Sequence, residues 1–243
     1  MKILKSKLII FTCCLFPKIL TSELPMTQWI VWNVGQGQWV TYVNKQKCWH
    51  FDFGGEFNPI KNVKKYCSWR ENILILSHPD QDHYNFIKSI ISNLKQVCLF
   101  GPSWINIPKK KVGALTISNC SNNIFEEINF FNVPFKHQKD DNKNSQIIQI
   151  RNWVIPGDSP ISTEKKWLKE KPNIKKVSVL LLGHHGSKTS TSSDLLEKLP
   201  NLKQCISSSR QKKYGHPHRE VLIRIHNHCS IIKTENWNHI HFF

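Results

Sequence analysis

Ile73-Leu74-Ile75-Leu76-Ser77-His78-Pro79-Asp80-Gln81-Asp82-His83 is the stretch that decides how this chain is read. Its first four residues form a short, unbroken apolar run, the pattern of a strand buried on both faces. The remainder turns polar and places two imidazoles and two carboxylates at positions 78, 80, 82 and 83. A loop at a strand end can aim several side chains at one point. His78 and Asp80, spaced two apart, share one side, whereas Asp82 and His83 diverge toward a second point. Such donors suit zinc or manganese, and two ions a few ångströms apart are a common means of hydrolysing phosphoesters and amides. The competing reading is an Asp/His-rich surface turn, which gives no reason to gather like charges so densely.

Outward from this loop the chain alternates strand and helix signals. Residues 28–34 and 39–43 read as strands around Gly35-Gln36-Gly37, and 48–53 as another strand closed by Gly54-Gly55. Residues 84–91 look helical. In the second half, 146–150 and 153–155 read as strands before Pro156-Gly157-Asp158, and 177–182 as an apolar strand ending at Gly183-His184-His185. Helices are expected at 163–169, capped by Thr163, after a cap at Asp194, and over 219–225. Strands are expected at 204–207, 230–233 and 239–243. Two successive runs of strands and helices argue for a layered α/β domain.

The 243 residues are 40% hydrophobic and 11% aromatic, enough for a folded core. Thirty-four Lys+Arg against 17 Asp+Glu give a formal charge of +17, a field that attracts polyanions such as nucleic acid, anionic lipid or acidic glycan. A lysine-rich source composition would give the same balance. Lys2, Lys5 and Lys7 ahead of the apolar residues 8–16 read as an export signal over 1–25, leaving a domain at 26–243. The product would be periplasmic or secreted, with no transmembrane domain of its own. Beyond the signal lie six cysteines, open to disulfides or to free buried thiols. None forms a CxxC pair, which disfavours a cysteine zinc site.

Taken together, several segments resemble a known family. His78-x-Asp80-x-Asp82-His83 resembles the signature loop of the metallo-β-lactamase superfamily. Asn33-Val34-Gly35-Gln36-Gly37-Gln38, Phe51-Asp52-Phe53-Gly54-Gly55, Gly157-Asp158, the string 183–190 (GHHGSKTS) and Tyr214-Gly215-His216-Pro217-His218 are similar to segments of the ComEC competence family, in the same order. The resemblance implies an αββα sandwich, two mixed β-sheets flanked by helices, with a metal centre at the edge between the sheets. It also implies two divalent ions, Zn or Mn, and DNA as substrate, with association with a DNA-uptake channel possible. Asn33 and Gln38 stand where that family usually has aspartates.

On this reading Asp158 bridges the ions as a carboxylate shared by hard cations. One of His184 and His185 completes the second ion, with His184 favoured for its place nearer the strand end. His137 is a weak candidate for a third histidine on the first ion; a lone histidine in a Lys/Asp/Asn stretch is more often solvated. Asp52 is expected to orient the metal loop through hydrogen bonds. Asp82, Lys188, His216 and His218 are the catalytic candidates, the last two as stabilisers of phosphate oxygens or proton donors. The ordinary alternative for His216 and His218 is a polar loop capping the next helix. Ser187, Lys188 and Thr189 are candidates for phosphate binding. Two rival readings stand beside the nuclease: a hydrolase of another phosphoester on the same fold, and a catalytically weak DNA-binding scaffold.

Overall fold

Strand β1 (Gln28–Trp32) directs Trp29 and Val31 to one side and Ile30 and Trp32 to the other, and all four are buried. Period-2 alternation with both faces covered requires a layer on each side of the sheet. The computed structural model describes residues 27–100, 117–120, 128–131, 140–170 and 172–243. The expected signal at 1–25 and His137 lie outside the described residues.

Two mixed sheets form the centre. Among the described residues the first has seven strands and the second six. β1, β2 (Val40–Val43), β3 (Lys47–Phe51), β4 (Glu71–Ile75), β5 (Val97–Phe100) and β6 (Ser118–Asn119) run in chain order, and β13 (His239–Phe242) pairs with β1 at the edge. The second holds β7 (Ile128–Phe131), β8 (Ile147–Ile150), β9 (Trp153–Ile155), β10 (Val179–Leu181), β11 (Gln204–Ser207) and β12 (Ser230–Lys233), also in chain order. β3 to β6 are parallel in the first sheet, as are β9 to β12 in the second.

Trp29, Val31, Phe51, Ile73 and Ile75 meet Ile148, Ile150, Trp153, Ile155 and Leu181 between the sheets. Trp29 and Trp153 stack across this interface with ring centroids 4.3 Å apart and planes 13° apart, a contact worth about 0.5–1.5 kcal/mol beyond the area it buries. Helices α1 (Ile60–Cys67), α2 (Gln81–Tyr84) and α3 (Ile87–Asn93) lie with the first sheet, whose outer core includes Val63, Tyr84 and Ile90. Helices α4 (Ile161–Trp167), α5 (Ser193–Glu197), α6 (Gln211–Tyr214) and α7 (Arg219–Ile225) follow, with Trp167, Leu195 and Val221 buried over the second sheet. The layering is the αββα sandwich expected from the sequence.

Local signals were less faithful than the layering. Thr163 lies inside α4, which begins after Pro160, and its hydroxyl donates back to the Pro160 carbonyl. Ser192, not Asp194, caps α5 by accepting from the Leu195 N–H. The helical reading of 84–91 divides into α2 and α3 at Asn85 and Phe86. All six cysteines beyond position 25 are oxidised, as Cys48–Cys67, Cys98–Cys120 and Cys205–Cys229. Among the described residues, no helix is long and apolar enough to cross a membrane.

Candidate metal centre

Parallel neighbouring strands end at the same edge, so the loops that follow them converge. Asp52 follows β3, the 77–83 loop follows β4, Asp158 follows β9, and His184 and His185 follow β10. Gly54 lets these loops close. A Cβ there would fall 2.5 Å from the Asp82 carbonyl carbon and 2.6 Å from the His83 nitrogen.

Asp158 stands at the centre, almost wholly buried. Its Oδ2 lies 3.8 Å from His78 Nε2 and 3.5 Å from His184 Nε2, and His78 Nε2 is in turn 3.4 Å from Asp80 Oδ2. Its Oδ1 lies 3.1 Å from His83 Nε2 and 3.8 Å from His185 Nε2. His185 Nε2 is also 3.1 Å from Asp82 Oδ2 and 3.3 Å from His83 Nε2. Imidazoles thus face both oxygens of Asp158: His78 and His184 about Oδ2, with Asp80 beside His78, and His83 and His185 about Oδ1, with Asp82 beside His185. His78, His83 and Asp158, and likewise Asp82, His83 and His185, lie close enough together to hold an ion.

The sequence reading favoured His184 for the ion held by Asp82 and His83. The geometry instead puts His185 beside those two and His184 on the His78 side. Both histidines adopt left-handed backbone, with φ/ψ of 49°/48° and 57°/17°. That conformation costs an L-residue roughly 1–2 kcal/mol, and strain of this kind gathers at functional sites. Here consecutive left-handed residues aim adjacent imidazoles at opposite sides of Asp158.

The donor set fits divalent metal ions. Atoms sharing a tetrahedral ion at bonds of about 2.0–2.1 Å lie about 3.3 Å apart, close to several of the separations above. His78 Nε2 is buried without a hydrogen bond, an unfavourable state unless something else meets it. The 3.3 Å approach of His83 Nε2 to His185 Nε2 likewise sets two ring nitrogens face to face. Burial alone would raise the Asp158 and Asp82 carboxyls. Neighbouring imidazoles overcome it and hold both well below the carboxylate range, with His83 and His185 acting on Asp158 and the His185 hydrogen bond foremost on Asp82. His83 is pushed upward against its own burial by Asp158 and Asp52. The centre thus favours positive charge.

A second layer of partners fixes the rings. Asp52 Oδ2 lies 2.7 Å from His83 Nδ1, and it accepts from Ser77 Oγ at 2.8 Å and from Gln38 Nε2 at 2.6 Å; Oδ1 accepts from the Ser77 N–H at 2.7 Å. Ser77 Oγ also meets His78 Nδ1 at 2.9 Å, and His185 Nδ1 faces the Ser208 carbonyl at 3.1 Å. With Nδ1–H directed outward on His83 and His185, each would present an Nε2 lone pair to a bound cation.

This layer also accounts for Gln38 and Asn33. The Gln38 amide donates to Asp52, whereas an aspartate would set a second carboxylate against it. Asn33 donates to the Trp237 carbonyl at 2.8 Å and accepts from the Gly35 N–H at 3.1 Å, a pairing an aspartate could only half reproduce. Ser77, Gln38 and Ser208 were not foreseen as supports. Only the adjacency of Ser77 to His78 marked one of them in the sequence.

The remaining candidates lie around the rim. His216 is half-buried, its Nδ1 3.4 Å from Gln36 Nε2 and its ring 6.3 Å from that of His184. Burial lowers its pKa. His218 caps α7, its Nδ1 accepting from the Glu220 N–H, which is the ordinary reading of that residue. Ser187 and Thr189 hydrogen-bond each other at 3.0 Å, and Lys188 is exposed. Glu164, receiving the Thr191 and Ser192 N–H groups, and Arg224, donating to the Lys188, Ser190 and Thr191 carbonyls, hold this loop in shape.

Comparison with known proteins yields the following. No family model matches the chain. It is 27% identical over 180 residues to ComE operon protein 3 of Bacillus subtilis (strain 168), covering 67% of this chain and 23% of that protein. It is 28% identical over 242 residues to Recombination protein 2 of Haemophilus influenzae, covering 93% of this chain and 29% of that protein. The chain thus spans less than a third of the length of either relative. Among solved structures, a diphosphatase from the PhnP family superposes with a TM-score of 0.57 at 12% identity, covering 89% of this chain and 97% of its own. The metallo-β-lactamase fold protein YhfI of Bacillus subtilis gives 0.53 at 10% identity, covering 89% and 99%.

Proposed function

We propose that this chain, which has the metallo-β-lactamase fold, is a metal-dependent phosphodiesterase that cleaves DNA. The observation carrying the proposal is Asp158, whose two oxygens face two separate clusters of imidazole and carboxylate. His78, Asp80 and His184 would hold one ion and Asp82, His83 and His185 the other, with Asp158 between. Zinc or manganese held there would supply an acidified water and charge neutralisation for the phosphoryl oxygens.

The protein groups do the rest. Asp52 keeps the His83 ring oriented, and the Ser208 carbonyl does the same for His185. His216, its ring 6.3 Å from that of His184, sits where its ring could hydrogen-bond a phosphoryl oxygen. Lys188 offers a cation to the strand, and Ser187 and Thr189 offer hydroxyls. His218 is assigned to capping rather than to chemistry.

DNA is supported by the +17 charge and by similarity to the two curated relatives. Three disulfides suit an oxidising compartment and so support export, with residues 1–25 as the signal and the product periplasmic or secreted. Association with a DNA-uptake channel would fit a nuclease similar to these two relatives.

The test is incubation of labelled single- and double-stranded DNA with the purified protein in Mn²⁺, Zn²⁺ or EDTA. Cleavage that needs metal and disappears in Asp158→Asn is the expected result. Turnover of a small phosphodiester without attack on DNA would transfer the site to another phosphoester, and metal-independent binding alone would make the chain a scaffold.

A further inference from the structure

Beside the metal centre, Glu56 sits in a cage of donors drawn from distant segments. The Gln36 N–H donates to Oε2 at 3.0 Å, Lys213 Nζ to Oε1 at 2.6 Å and Tyr214 Oη to Oε1 at 2.9 Å, while Arg210 Nη1 lies 3.2 Å from both oxygens. Gly35 makes room for the carboxylate. Its φ is +74°, and a Cβ there would fall 2.6 Å from Glu56 Oε2. Burial works against ionisation of Glu56, yet these donors, Lys213 first among them, hold its pKa at about 2.

The cations are braced by more than Glu56. The Arg210 guanidinium lies over the Phe57 ring at 5.3 Å, and Lys213 Nζ over Tyr214 at 4.8 Å. Lifting Glu56 away would leave two cations, a phenol and a backbone N–H around one point, the chemistry that receives a phosphate. The cage also borders the metal centre: Gln36 Nε2 reaches His216 Nδ1 at 3.4 Å, and the His216 and His184 rings are 6.3 Å apart.

We infer that Arg210, Lys213, Tyr214 and the Gln36 N–H form an anion subsite in which Glu56 stands in for a phosphate, and that a phosphate of a nucleic-acid strand, flanking the one at the metal centre, displaces Glu56 when substrate binds. The nucleic-acid source of that phosphate rests on the proposed phosphodiesterase activity. The subsite itself does not. Glu56 then acts as a weak internal competitor that keeps the cage formed while no strand is present.

The experiment uses the purified protein in EDTA, where no turnover occurs, with two probes: inorganic phosphate by calorimetry and a fluorescent twelve-nucleotide oligothymidylate by anisotropy across a salt series. Glu56→Gln is expected to gain phosphate binding that the unaltered protein lacks. It should bind the oligonucleotide several-fold more tightly, with an unchanged log–log salt slope, because the same phosphate contact forms in both proteins once Glu56 is displaced. Adding Arg210→Gln, or the milder Tyr214→Phe, to Glu56→Gln should reverse the gain. Weaker or unchanged binding of both probes by a Glu56→Gln protein of unchanged Tm would overturn the subsite and leave Glu56 as a latch between loops. Should Glu56→Gln unfold, Tyr214→Phe alone decides: oligonucleotide binding equal to that of the unaltered protein overturns the proposal. Phosphate gained without any gain for the oligonucleotide overturns the nucleic-acid occupant, and the DNA cleavage assay reports separately on the activity.

Discussion

Asp52→Asn changes one atom of a buried carboxylate and tests whether the centre depends on its supports. Oδ1 can continue to accept from the Ser77 N–H, but Oδ2 meets His83 Nδ1 and two donors, Ser77 Oγ and Gln38 Nε2. An amide nitrogen in that place faces donors with a donor. The His83 ring then lowers its energy by taking the opposite tautomer, with Nδ1 accepting and the proton on Nε2. That proton points toward Asp158 Oδ1 at 3.1 Å and His185 Nε2 at 3.3 Å, where the lone pair had been. Loss of such an orienting partner costs about 10–100-fold in metal affinity, equivalent to about 1.4–2.7 kcal/mol. The lost charge-assisted bond destabilises the fold by about 1.5–3 kcal/mol. Zn²⁺ titration by calorimetry against a chelator reads the first quantity and thermal melting without metal reads the second. Ser77→Ala, which removes only the hydroxyl contacts, should show a smaller loss of affinity. A folded Asp52→Asn protein that binds Zn²⁺ as tightly as the unaltered one would refute the tautomer argument.

Other expectations follow from particular side chains. His185→Ala should remove one equivalent of bound metal, measured by elemental analysis after dialysis, while leaving the His78 half-site able to load; loss of both equivalents or of neither would contradict the division of the centre about Asp158. His50 is wholly buried, with Trp39 Nε1 donating to its Nδ1 and Asn72 Oδ1 beside its Nε2. Burial lowers its pKa from 6.5 to about 4. The unfolded chain therefore binds the proton more readily, so the stability His50 contributes is complete above pH 6.5 and falls between pH 6.5 and 4. Integrated over that window the loss approaches about 3 kcal/mol. Urea melts should show that slope shrinking in His50→Gln, and an unchanged slope would assign it to other groups. Replacing Cys205 and Cys229 by alanine opens a loop of sequence separation 24. It should cost about 3–3.5 kcal/mol in denaturant unfolding on the chain-entropy account, and a loss under 1 kcal/mol would contradict it.

What the sequence disclosed follows from how local each signal is. The apolar run 73–76 and the His/Asp spacing at 78, 80, 82 and 83 are contiguous, and alternation along β1 reports burial directly, so the layered fold and the gathering of these side chains after β4 were both readable. The respective sides of His184 and His185 were not, because they follow from two left-handed backbone conformations that adjacency does not encode. Caps failed at Thr163 and Asp194 since neighbouring Ser192 and the turn after Pro160 start those helices first. Cysteine pairing and the cage around Glu56 join residues up to 158 positions apart. Such contacts exist only once the sheets are stacked. Asn33 and Gln38, which stand where the resembled family usually has aspartates, act as hydrogen-bond donors, a role that depends on partners brought near only by the fold.

The loops that carry His78, Asp80, Asp82 and His83 hang from the seven-stranded sheet, whereas Asp158, His184 and His185 hang from the six-stranded one. A cation gripped from both sides is consequently a clasp between the two halves of the sandwich, and its binding free energy adds to their cohesion. Chelation should then loosen the stacking of Trp29 on Trp153, deep between the sheets, as well as the catalytic rim. The grip of the proposed centre on a cation and the integrity of the core would then be a single thermodynamic quantity.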